Sequence, residues 1–252
     1  MAIGNVGLAA RIERQGSLTS KPTSFLGEYF YLGMALVMSS LVVWGFSRTV
    51  NANLFHANPP RPLLLWAHGA AFSSWMIFFI VQSSLVRAHK VSVHRLLGWF
   101  GAGLASGMTL LGFTIAIVMA RFDTFVLHQK GADAFLSIPF NDMIVFGTCI
   151  ALAIYWRKKA EYHRRLIFIA TCELMDAALG RFDYLFNHNL FYPGLDLLIV
   201  AGMMRDWLVD GRISKVYIYA LPVMVALQSL SIYAWRINPA WWQGVTRAIL
   251  GL

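Results

Sequence analysis

Seven stretches of this chain are apolar over the length a helix needs to cross a bilayer, about 20 residues at about 1.5 Å each. They run approximately through 29–47, 63–86, 95–120, 139–156, 166–186, 193–209 and 216–235. Residues that break helices fall between or at the edges of them: Asn58-Pro59-Pro60 with Pro62, Gly131-Ala132-Asp133, Pro139, Pro193-Gly194 and Asp210-Gly211. Lipid offers the backbone no hydrogen bonds, so apolar runs of this length must pair their own amides as helices. The pattern predicts an all-α polytopic membrane protein with seven transmembrane helices. The fifth run is interrupted by Glu173, Asp176, Arg181 and Asp183, and dropping it gives six spans.

Composition supports the same class. Hydrophobic residues make up 58% of the 252 and charged residues only 13%, against about 25% charged in soluble domains. This excludes a soluble enzyme, a disordered chain and a collagenous one. Cys149 and Cys172 both lie in apolar runs, so no disulfide framework is implied. The net charge of +9 reflects topology: with seven spans, the N-terminal tail and the loops near 87–95, 157–165 and 205–215 share one face and hold 14 of the 21 Lys and Arg. Basic loops stay cytoplasmic, which predicts a cytoplasmic N-terminus, an outer C-terminus and no nucleic-acid partner.

Three segments follow. Residues 1–27 form a cytoplasmic N-terminal tail without the compact apolar core of a signal peptide. Residues 28–236 form the bundle. Residues 237–252, with Trp241, Trp242 and Ile249, form an interfacial C-terminal tail. Two corners repeat, Val93-His94-Arg95-Leu96-Leu97 and Tyr162-His163-Arg164-Arg165-Leu166, as do two outer helix starts, Pro139-Phe140-Asn141-Asp142 and Pro193-Gly194-Leu195-Asp196. They point to a repeated hairpin unit. In the third run, Gly103-x-x-x-Gly107 is a candidate for close helix packing.

Charged groups inside a span cost about 2.5–3.5 kcal/mol each and mark a site unless a partner is found. Glu173 and Asp176 are the clearest case. Counted from Leu166 they lie about 10 and 15 Å into the helix, and their i, i+3 spacing places both on one face. Two carboxylates so close in a dry place do not both ionise without a cation. That cation is a metal, a transported ion or Arg181 folding back, which in the structural alternative only knits helices together. Asp142 and Asp196 each follow a proline by three residues, where an acid suits the first turn of a helix. They and His68 also descend from the outer face, so they can converge on Glu173 and Asp176. A histidine among carboxylates suits a divalent metal ion, although no HExxH, CxxC or His-x-His spacing supports one. His94 and His163 open two spans at equal depth. They either mark the lipid–water boundary or clamp a haem b iron; the fourth span has no histidine for a second haem. No Walker loop, dinucleotide fingerprint or nucleophile elbow is present.

The order His68-Gly69, His94-Arg95-Leu96-Leu97-Gly98, His163-Arg164-Arg165 and Arg181 resembles an uncharacterised bacterial family of multi-pass membrane proteins, a domain of unknown function, over roughly residues 63–185. The resemblance implies a bacterial inner-membrane location and brings no activity; Glu173 and Asp176 are not part of its pattern.

The leading expectation is an outer-half intramembrane site in which Glu173 and Asp176 hold a cation or metal and His68 assists. Asp142, Asp196 and Arg181 line the approach. It serves transport, or activates water on a lipid-like substrate. The alternatives are a haem b electron-transfer protein using His94 and His163, and a structural or accessory subunit bound to membrane lipids.

Overall fold

The structure, a computed structural model, describes residues 25–251. The N-terminal tail expected over 1–27 therefore lies, up to residue 24, outside the described residues. Among the described residues all regular structure is helical. Helix α1 (Phe25–Ser47) leads through a π-helical turn at Asn51–Phe55 to α2 (Leu64–Arg87) and α3 (Val91–Phe125). A 3-10 turn at Ala134–Leu136 continues into α4 (Ser137–Tyr155), followed by α5 (Ala160–Glu173) and two short helices, α6 (Asp176–Leu179) and α7 (Asp183–Asn187). Helices α8 (Phe191–Asp210), α9 (Lys215–Ile237) and α10 (Ala240–Leu250) complete the order.

Five of these segments are long and apolar enough to cross a membrane: α1, α2, α3, Ala134–Tyr155 and α9. Large apolar side chains face outward from them, with Leu96 74%, Leu110 71% and Ile77 65% exposed. That surface needs lipid rather than water around it.

The fifth and sixth apolar runs differ from expectation. The fifth is not one helix. It runs as α5 to Glu173, breaks at Leu174 and Met175, and resumes as two short turns. The Met175 amide bonds the Cys172 carbonyl at 2.9 Å, and Ala178 bonds Met175 at 3.1 Å. Tight i→i−3 turns thus take over the backbone bonds where acidic side chains turn inward. The sixth run is a full helix, α8, but it carries Asp196, Arg205, Asp206 and Asp210.

From Phe25 to Glu173, each long helix packs on the next. Helix α5 lies at the centre, with α4 on one side and α8 on another, and α9 closes the gap beside them. Phe146 and Ala153 of α4, Phe168, Ile169 and Ala170 of α5, and Leu195 and Ile199 of α8 are wholly buried. An ion network ties α5 to α8 at one end of this core. Arg165 donates to Asp206 through Nε at 2.7 Å and Nη2 at 2.9 Å, and to Asp210 at 3.0 Å; Arg205 donates to both aspartates at 3.1 and 2.7 Å. Arg165 and Asp206 are almost fully buried. In the sequence these arginines read as loop charges that orient the chain; here they are core members. The C-terminal segment forms α10, whose Trp242 donates to the Ala134 carbonyl at 3.0 Å, while Arg121 of α3 donates to the Leu250 carbonyl at 2.6 Å.

Close helix approach occurs elsewhere than at the Gly103-x-x-x-Gly107 pair, where an added Cβ meets nothing within 4 Å. It occurs at Gly45 of α1, where a Cβ would stand 2.4 Å from the Ala178 carbonyl oxygen of α6. That oxygen is backbone and cannot swing away. Gly45→Ala is therefore expected to lower stability by about 1–3 kcal/mol through overpacking. Gly103→Ala should be neutral or gain up to about 1 kcal/mol from helix propensity. Thermal unfolding of the two variants in detergent checks the contrast.

Candidate functional site

The break after Glu173 places two carboxyls where α4, α5, α6 and the start of α8 meet. Helix α4 begins at Ser137, earlier than its proline suggests, so Asn141 and Asp142 fall in its second turn and are buried. The expected first-turn role of Asp142 is lost, because the free amides of the helix end are a turn away. Asp196 is likewise the sixth residue of α8.

Asn141 is the hub. Its Nδ2 lies 3.3 Å from Glu173 Oε1, 3.4 Å from Asp142 Oδ1 and 3.1 Å from the Tyr192 hydroxyl. The Tyr192 hydroxyl donates to Asp142 Oδ1 at 2.8 Å. The Asp142 and Asp176 carboxyls face each other within hydrogen-bonding range. Glu173 is 0% exposed, and its Oε2 has no hydrogen-bond partner. One amide with two hydrogens thus serves three oxygens at long distances, while one carboxyl oxygen of the group goes unserved.

Among the described residues no ion pair joins Asp142, Glu173 or Asp176 to a basic side chain. Arg181, expected to line the site, acts on Asp176 through its field, yet its guanidinium is committed elsewhere. Its Nε donates to Thr49 Oγ1 at 3.0 Å, its Nη1 donates to the Ala177 carbonyl, and its plane lies over Phe46 at 3.5 Å. The structure therefore brings together three of the five residues expected to hold a metal. His68 stays apart: its ring lies on Phe72 at 4.1 Å, and its Nδ1 is buried without a partner. Asp196 accepts from Gln228 at 3.2 Å and reaches Glu173 only through its field. Among the described residues no group of three or more His, Cys, Asp or Glu is arranged to hold a metal ion.

Sequence reading missed Asn141 and Tyr192. Tyr192 precedes Pro193 and read as part of a loop, but α8 starts at Phe191 and buries the ring to 1% exposure. At the opposite end of α5, His94 and His163 stand with ring centres 6.3 Å apart and planes at 79°. Compared with protein-family models, with curated proteins and with solved structures, the chain matches none.

Glu173→Gln keeps the volume and the bond to Asn141 while removing the carboxyl that lacks a partner. It is expected to raise the melting temperature in detergent by about 2–4 °C, equivalent to about 1 kcal/mol in a chain of this size. A fall of the same size would show that Glu173 serves the fold.

Proposed function

We propose that this is a multi-pass protein of the bacterial inner membrane, with its N-terminus cytoplasmic, and that the carboxyl group around Glu173 binds and releases a small cation for transport. The smallest such cation is the proton. Asp142, Glu173 and Asp176 are the binding residues, Asn141 and Tyr192 position them, and the break between α5 and α6 lets two acids of one chain segment point into one place.

The observation that carries this reading is the buried, unpartnered Oε2 of Glu173. In the tie at the other end of α5, by contrast, both oxygens of Asp206 are paired with Arg165. A group meant to exchange its counter-charge must hold a vacancy in at least one of its states. Irregular backbone at membrane depth, lined by side chains of neighbouring helices, is also how membrane transporters build ion sites.

The surroundings fit a hard ion or a proton better than a soft metal, since every donor is oxygen apart from the Asn141 amide. That amide now occupies the middle of the group with its NH2; turning it through 180° would offer its Oδ1 to an incoming cation.

Infrared difference spectra of the purified protein between mildly acid and alkaline buffer test proton exchange. A protonated-carboxyl band that appears on acidification and is lost in Glu173→Gln and Asp142→Asn is the expected result. In liposomes carrying a pH gradient, wild-type protein should dissipate it faster than either variant by about tenfold or more. Equal spectra and equal leak for wild type and both variants would end this reading. Stabilisation by sodium, calcium or magnesium alone, with no exchange signal, would replace the proton by that ion.

A further inference from the structure

The other end of α5 carries a second arrangement that the carboxyl site does not use. His94 lies in the first turn of α3, and His163 is the fourth residue of α5. The Nδ1 of His163 lies 2.9 Å from the Ala153 carbonyl oxygen. A carbonyl only accepts, so Nδ1 carries a proton, and in the neutral ring Nε2 is the nitrogen with the lone pair. Imidazoles that ligate metals are held this way, by a carbonyl on the nitrogen that does not bind. His94 lies against the Gln82 carbonyl, and its Nδ1 is buried without a well-formed hydrogen bond.

The Gln82 side chain adds an independent sign. It continues the buried stripe of α2, Trp75, Met76 and Phe79, into the bundle. It is 8% exposed, and neither its amide nitrogen nor its oxygen has a partner. Native interiors seldom leave a whole amide idle; such a gap calls for an occupant.

We infer that His94 and His163 are the two axial ligands of a haem b iron, with Gln82 as a polar neighbour of the bound group. The separation suits that role. With both nitrogens turned to a metal in line between the rings, about 2.0–2.1 Å on each side plus about 1.1 Å from each nitrogen to its ring centre gives about 6.3 Å, and the ring centres stand 6.3 Å apart. The ligand count selects haem over a bare ion. Zinc in a structural site takes four protein ligands, and no third His, Cys, Asp or Glu joins this pair among the described residues. A porphyrin supplies four nitrogens and asks the protein for two.

The full chain, purified in detergent from haem-replete cells, is examined by absorption spectroscopy, pyridine haemochrome assay and metal analysis. About one haem per chain with a low-spin spectrum is expected, falling at least tenfold in His94→Ala and in His163→Ala. Gln82→Leu should weaken haem retention by less than either alanine variant does. If an alanine variant fails to fold, His163→Met restores a ligand; bound haem with an altered spectrum supports the assignment. The assignment is overturned by a colourless protein that takes up no added haemin, by haem retained in both alanine variants, or by copper or zinc lost from those variants instead of haem. Unchanged retention in Gln82→Leu removes that residue from the site. None of these results bears on Glu173, so this inference and the carboxyl reading fail separately.

Discussion

A polar group that cannot reach water must find its hydrogen bonds and its counter-charge on neighbouring helices, and the arrangement around α5 follows from that constraint. Where the demand is met, the result is a tie. Arg165 uses its planar fork on Asp206 and extends to Asp210, and Arg205 donates to the same Asp206 Oδ1 and Asp210 Oδ2. Removing one partner from such a pair strands the other charge and typically costs about 3–5 kcal/mol. The ion network therefore clamps α8 to α5 and fixes the level at which Tyr192, near the other end of α8, meets Asn141.

Where the demand is unmet, the same constraint marks a site. Glu173 sits at the last residue of α5, eight residues beyond Arg165 and thus about 12 Å along the axis. A continuous helix would have carried Asp176 on up the same face. Breaking it after Glu173 turns Asp176 toward Asp142 instead, and the short turns that follow keep the backbone bonded. Gly45 is the counterpart on α1. Only a residue without a side chain lets that helix press against the Ala178 carbonyl, so α1 covers the broken segment on that side.

The helical class and the positions of most spans were legible because length and apolarity are set by the bilayer, and five segments meet both tests. The burial of Glu173 and Asp176 was legible for the same reason: charges inside an apolar run stand out. Asn141 and Tyr192 were not, since a neutral polar residue near a proline looks alike in a loop and in a buried second turn. Arg165 and Arg205 misled in the opposite sense, because an arginine at a span boundary counts as a topological charge whether it faces headgroups or an aspartate. The Gly103-x-x-x-Gly107 spacing failed because a small-residue pair shows that close approach is possible and leaves open whether a helix comes there. Which helices meet is a tertiary fact, and Gly45 carries no local spacing that would announce it.

The two polar centres share α5, and their separation decides how far they act on each other. His163 and Glu173 are ten residues apart, about 15 Å along the axis. At an effective dielectric of about 20, two unit charges at that distance interact by about 1 kcal/mol, less than the free energy of one pH unit. A change of charge at the histidine end would therefore bias occupancy at the carboxyl end by a factor below ten. That is enough to couple the two weakly, and too little for either to hold the other in one state. The stronger link between them is mechanical: α5 is one rigid helix from Ala160 to Glu173, clamped between them by Arg165, so a displacement of that clamp would move both centres together.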